Sequence, residues 1–351
     1  MSVKKQIEIG YLVYDLDEET KTAVVVGCPD YILNTPFTVS IPNTVTFDGL
    51  NYTVTEIGDG AFCDCSKLES ITLPDGVTEI GVDAFYGCHS LKRITIPDSV
   101  TNIGGAAFHD CGSLESVTIP DSVTEIGEET FQRCHGLKNV TIPDSVIEIG
   151  KGAFADCTGL KSITIPDSVK SIGEGAFDDC RCLESVTIPD SVTKIGEQVF
   201  AGCASLKSIT LPNRATRIGR NAFERCTSLE NITIPDSVKE IGWGAFADCK
   251  SLESIIIPDS VTEIGIQAFW GCKSLKSVTI PNSVTSIREY AFKYCEKLKK
   301  ITIPDNMNGI DETWFDGCSS LAEIAIPGTE KAFPLWIKLM ESRYADLVKL
   351  L

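Results

Sequence analysis

The chain has 351 residues, 43% of them hydrophobic and 23% charged, the composition of a globular protein and not of a disordered one. Asp and Glu outnumber Lys and Arg by 49 to 31, and a net charge of −18 repels phosphate backbones and anionic headgroups, so neither nucleic acid nor a membrane surface is an expected partner. No apolar run approaches the ~20 residues of a membrane span. The start, Met1-Ser2-Val3-Lys4-Lys5-Gln6, leads into no apolar signal segment.

Residues 1–50 keep no period. Ile7 to Tyr14 and Thr22 to Val26 flank the polar stretch Asp15 to Lys21, which predicts a β-hairpin. Phe37 to Pro42 reads as a first strand, and Phe47-Asp48-Gly49-Leu50-Asn51-Tyr52 as an insertion before a regular array. Hairpin and strand are expected to cap an array whose end would otherwise expose bare core.

Residues 51–327 are periodic. Twelve of the 15 Cys recur every 23 residues from Cys65 to Cys318. Phe62 to Phe315, Ile57 to Ile310, Leu68 to Leu321 and Pro74 to Pro327 keep the same interval. Twelve copies without an insertion or deletion predict a solenoid. In the copy from Val123 to Pro143, Ile126, Thr130, Phe131, Cys134 and Leu137 share one face of a helix, while Val140 and Ile142 alternate with Asn139 and Thr141 as a half-buried strand. Pro143 cannot continue a ladder and ends the strand. One strand and one short helix per copy cannot bury their apolar sides alone, so the copies stack and their strands pair in parallel.

Leu160-Lys161-Ser162-Ile163-Thr164-Ile165-Pro166 followed by Ile172-Gly173-Glu174-Gly175-Ala176-Phe177-Asp178-Asp179-Cys180 resembles the BspA-like leucine-rich repeat family, and the resemblance runs from about Ile41 to Pro327. It implies an α/β leucine-rich repeat solenoid with a parallel β-sheet on the concave side and short helices on the convex side. It also implies a role in binding proteins or surfaces, and a cell-surface or secreted location. The chain departs from that pattern in showing no export signal, so a cytoplasmic location is the alternative.

Pro334 to Leu351 has helical periodicity, with Leu335, Leu339, Met340, Leu347 and Leu351 in one apolar stripe. Three segments are therefore expected: a cap and first strand over 1–50, twelve repeats over 51–327, and a capping helix over 328–351. A free amphipathic helix that docks on a partner is the other reading of the last segment.

Little in the sequence carries catalytic chemistry. The periodic Cys fall on the apolar face of each copy and are expected to be reduced, structural thiols. Cys28, Cys63 and Cys182 add no Cys-x-x-Cys pair, and no metal site is expected. His89, His109 and His135 read as surface residues. No nucleophile elbow, phosphate loop or zinc-binding helix occurs. A periodic lattice supplies no singular constellation, so no enzyme and no cofactor are expected.

Four surface columns remain. The outward strand positions Ser116, Thr118, Asn139, Thr141, Ser162, Thr164, Ser185, Thr187, Ser208, Thr210, Asn231 and Thr233 form a neutral hydroxyl and amide surface, the expected ligand-binding face. Thr as an ordinary strand residue is the plainer reading. Alternating Glu69, Lys92, Glu115 and Lys138 read as cross-strand ion pairs. The Asp after each Pro, such as Asp98 and Asp121, is expected to accept a turn N–H two residues on, with a divalent cation as the alternative. Finally, Trp243, Ile266, Trp270, Tyr290 and Tyr294 break the repeat at positions that are elsewhere polar or small, and are expected to form an interface patch. The chain reads as a non-enzymatic protein-binding or adhesion module. Its expected partner is a protein, host or cell-surface in kind, with self-association at the aromatic patch. An intracellular scaffold or effector, or a glycan-binding module, is the alternative.

Overall fold

The computed structural model describes residues 4–28, 35–307, 311–329 and 333–351. They form a β-solenoid of about 13 turns with parallel sheets and very little helix. Two compact units divide it, Met1–Arg181 and Cys182–Leu351.

In the first unit, Phe37–Ser40, Leu68–Thr72, Arg93–Thr95, Ser116–Thr118 and Asn139–Thr141 pair in that order as one parallel sheet. Residues one period apart face each other, Ser116 opposite Asn139 and Thr118 opposite Thr141. The pleat turns Val117 inward and Ser116 and Thr118 outward. After each strand a tight turn closes on the proline carbonyl, as where the Val123 N–H donates to Pro120 O at 3.1 Å. The Asp that follows the Pro does not supply that bond, contrary to expectation. The next residue, Ser, links the coils instead: Ser145 Oγ donates to Val123 O of the preceding coil at 2.6 Å. A second strand of only two residues ends on the Ile of an Ile-Gly pair in most coils, and Glu125–Ile126, Glu148–Ile149 and Ser171–Ile172 pair in parallel.

The remaining segment of each coil is not the expected short helix. Glu129 (φ 55°) and Arg133 (φ 60°) are left-handed, as are Gly152 (59°) and Asp156 (57°), and Gly175 (60°) and Asp179 (53°), in the same two columns. A right-handed helix tolerates no such residue every fourth position. The segment is a chain of tight turns, with Gln132 N–H donating to Glu129 O at 3.0 Å and Cys134 N–H to Phe131 O at 3.3 Å. The intervening amides reach across to the next coil: Glu129 to Lys151 O, Phe131 to Ala153 O and Arg133 to Ala155 O, each at 2.8 Å. At the entrance to these turns the coils touch. A Cβ on Gly150 would lie 2.7 Å from the Gly127 carbonyl carbon, which is why glycine occupies this column.

The interior is a stack of equivalent side chains. Phe62, Phe85, Phe108, Phe131, Phe154 and Phe177 are fully buried, with successive ring centroids 5.2–5.5 Å apart and rings within 9° of parallel. At the start of the chain, Lys4–Ile9, Leu12–Asp17 and Thr22–Gly27 form an antiparallel meander whose last strand runs parallel to Leu50–Ile57. The supposed insertion is itself a hairpin. Thr44–Phe47 pairs antiparallel with Leu50–Ile57 across Asp48 (φ 49°) and Gly49 (φ 78°), the left-handed pair that a two-residue hairpin turn requires.

The second unit repeats the pattern. Ser185–Thr187 pairs with Ser208–Thr210, and Ser277–Thr279, Lys300–Thr302, Glu323–Ile326 and Val348–Leu350 form a parallel sheet. Arg217–Ile218, Glu240–Ile241, Glu263–Ile264 and Ser286–Ile287 form the second sheet. Arg288 stands in the glycine column, keeps the inter-coil bond to Ile264 O at 2.9 Å, and turns its guanidinium onto Glu263. Ile310, last of its column, lies outside the described residues. The helix expected over 334–351 covers only Phe333–Met340, and Val348–Leu350 is a strand. Leu335 and Leu339 are buried, whereas Met340 and Leu351, expected in the same stripe, are exposed. Tyr344 sets its ring edge-on against Phe315, and its hydroxyl donates to Glu312 O at 2.8 Å.

Removing one ring from the stack is expected to act locally. Phe154→Ala should cost about 3–5 kcal/mol, since it opens a gap between two neighbours at once. Hydrogen exchange should rise first in residues 131–177 and only later near residue 70. Uniform loss of protection across Met1–Arg181 would contradict nearest-neighbour coupling.

Candidate functional site

Two surfaces stand out, one on the strands and one on the turns. In the first unit, Ser116, Thr118, Asn139, Thr141, Ser162 and Thr164 are all exposed. Pairing one period apart sets Ser116 beside Asn139 and Thr118 beside Thr141, and none of the six makes a side-chain hydrogen bond within the described chain. In the second unit Ser185, Thr187, Ser208, Thr210, Asn231 and Thr233 are likewise exposed. There Asn231 accepts a bond from Ser254 at 3.3 Å, and Ile256 interrupts the threonine column at 81% exposure. Of the adjoining charged column, Lys207–Glu184 (3.7 Å) and Lys276–Glu253 (2.7 Å) form ion pairs. The Lys276 ammonium holds the Glu253 carboxyl below its usual range.

The aromatic residues of the second unit separate into two groups. Tyr290 and Tyr294 flank Lys293, whose Nζ lies 4.7 and 5.2 Å from their ring centroids and 3.5 Å from Asp316. Tyr294 occupies the space beside Gly317, where a Cβ would meet its ring. Trp243 and Trp270 instead line a cavity of about 340 Å³. Arg220 covers one face of Trp243 at 4.0 Å, and its indole N–H donates to Gln267 Oε1 at 3.1 Å. Trp270 stands edge-on to Tyr294 at 5.6 Å, which links the two groups. Ile266 is half-buried, and its carbonyl accepts the Gly244 N–H at 2.8 Å.

The cysteines are free thiols, and eleven of the twelve periodic ones are buried. Cys318, in the last copy, is half-buried, unlike the fully buried thiol expected there. The column has a use the sequence did not reveal: Cys134 Sγ donates to Phe108 O at 3.2 Å, and Cys157 Sγ to Phe131 O at 3.1 Å. The thiol thereby satisfies a carbonyl of the coil before, and burial holds the Cys134 thiol far above its usual pKa. Of the exposed pair, Cys63 is also raised, first by desolvation and then by Asp64 and Asp83.

His89 and His135 are exposed, their Nδ1 atoms 3.0 and 2.9 Å from Asp110 O and Asp156 O. His109 is not the surface residue expected. It is 8% exposed, stacked on Tyr86 at 4.7 Å, and burial lowers its pKa although Glu129 stands 3.6 Å away. Among the described residues no three His, Cys, Asp or Glu converge as metal ligands. No helix of the described residues is long and apolar enough to cross a membrane.

The family profile for the BspA type leucine rich repeat region matches residues 43–161, 124–252 and 239–334. Among solved structures, a leucine rich cell surface protein from Faecalibacterium prausnitzii is similar at 30% identity and TM-score 0.57, over 94% of this chain and 97% of that one. A leucine-rich repeat protein from Bacteroides ovatus is 28% identical at TM-score 0.54, over 98% and 99%. The pneumococcal vaccine antigen PcpA, 22% identical, shares the fold at TM-score 0.68 over the whole of both chains. No curated protein sequence matches.

Thiol labelling of the native protein should discriminate these environments. Cys182 is expected to react first. Cys63 should be slower, because its raised pKa leaves less thiolate at neutral pH. The eleven buried thiols should react only on unfolding. Rapid native labelling of Cys134 or Cys157 would contradict the buried column.

Proposed function

We propose that this chain, which belongs to the BspA-type leucine-rich repeat family, is a non-catalytic binding module that holds a protein partner on its strand faces. The observation that carries this reading is the pair of rows Ser116–Asn139 and Thr118–Thr141. Exposed hydroxyl and amide groups stand there in register, with no internal partner to satisfy them. A protein surface rich in backbone and amide groups complements such rows through hydrogen bonds. The absence of a large net charge along them fits a neutral partner better than an ionic one. Solenoids of this family are typically non-catalytic, and a repeated lattice offers no singular arrangement for a reaction.

The F. prausnitzii relative is described as a cell surface protein, which supports adhesion at a cell surface as the setting. Two exposed free thiols, Cys63 and Cys182, favour a second setting, an intracellular scaffold in a reducing compartment.

The reading is tested by introducing charged side chains on one face. Asn139→Lys combined with Thr141→Glu should abolish capture of any surface protein that binds the wild-type chain, while melting stays unchanged because both side chains are exposed. Trp270→Ala should leave that capture intact. Capture that survives the strand-face pair would overturn the assignment.

A further inference from the structure

We propose that the pit between Trp243 and Trp270 is a saccharide-binding site that takes one or two neutral pyranose rings, independent of whatever the strand faces bind. Three successive coils build it. Gly244 and Ala247 form its floor. One period earlier, in the same columns, Asn221 and Glu224 form one wall, the Asn221 amide oxygen reaching over Gly244; one period later, Gln267 and Trp270 form the other. Small residues flanked on both sides by large ones leave a depression, and Trp243 closes one end. The same small pair recurs as Gly152 and Ala155 in the first unit. Its neighbours in those columns are Glu129 and Gln132 before and Gly175 and Asp178 after, so no aromatic wall is built there.

The chemistry of the lining selects the ligand. A volume of about 340 Å³ lies at the small end of ligand pockets. The indoles provide electron-rich faces suited to the weakly positive C–H face of a sugar ring. The amides of Asn221 and Gln267 and the carboxylate of Asp248 supply both donors and acceptors for ring hydroxyls. A cationic ligand is disfavoured, because the acidic groups are already balanced: Glu224 lies 3.8 Å from Arg225, and Asp248 4.0 Å from Lys250. Arg220 already takes the cation position over one face of Trp243. Both indoles are held in place before any ligand arrives, Trp243 by Arg220 and Gln267, Trp270 by the edge of Tyr294. A pre-set aromatic wall loses little conformational entropy on binding.

The test uses the full chain with glucose, galactose, mannose, N-acetylglucosamine and the β-1,4 disaccharides cellobiose, lactose and chitobiose. Saturation-transfer NMR and tryptophan emission are the readouts. At least one sugar should bind saturably, and about tenfold or more weakly to Trp270→Ala. Ala247→Gln should weaken binding as much while keeping both indoles, since it fills the pit with the residue found at Gln132 in the same column. If Trp270→Ala fails to fold, Ala247→Gln decides alone. The proposal is overturned if none of these sugars binds the wild-type chain, or if binding survives Ala247→Gln. It is also overturned if the substitutions alter only sedimentation, which would make the pit a contact between copies of the chain.

Discussion

A coil of 23 residues has no long helix and no hairpin in which to satisfy its own amide groups, so it gives many of them to the coils on either side. The bonds recur at fixed offsets. Glu129, Phe131 and Arg133 reach forward to Lys151, Ala153 and Ala155. The Cys134 thiol reaches back to Phe108 and the Ser145 hydroxyl back to Val123. Left-handed residues at Glu129 and Arg133 turn alternate amides outward, toward the next coil, which a helix would have kept within itself. Glycine at position 150 lets the two backbones come close enough to bond. The phenylalanine stack and the straight rows on the strands both follow from this lateral bonding.

The sequence disclosed the period, the strand and the core positions because each recurs at one interval, and side chains repeated twelve times have one environment to share. It misled at the turns. Ile126, Thr130, Phe131, Cys134 and Leu137 fall on a helical face, and a string of tight turns places the same side chains inward. The discriminating signal was present in the positions between them. The column before the cysteine holds Asp or Gly in nine of its twelve copies, residue types that adopt left-handed backbone most readily, and Arg133, Arg225 and Tyr294 in the other three. Asp48-Gly49 was an equally plain hairpin signal inside a supposed insertion. His109 was misplaced because its burial comes from Tyr86, one coil away, which no local pattern reports.

The aromatic patch shows a different limit. Five substitutions against the repeat mark an unusual region, but the sequence cannot say which of them face each other. Three-dimensional stacking pairs residues 23 apart, so the small residues Gly244 and Ala247 matter as much as the tryptophans in leaving room for a cavity. Tyr290 and Tyr294 are drawn the other way, toward Lys293, Asp316 and Gly317. Within the second unit the exposed strand positions Asn231 and Thr233 and the walled depression at Gly244 and Ala247 thus present unlike chemistry.

The lateral bonds also govern how such a chain can change its length. An extra residue in a coil displaces every offset at once, misaligning the thiol, the hydroxyl and the turn amides together. A whole added coil displaces none, since it presents to each neighbour the edge that neighbour already fits. Length in this molecule is therefore a quantised variable, open to duplication and deletion by the unit and closed to change by the residue.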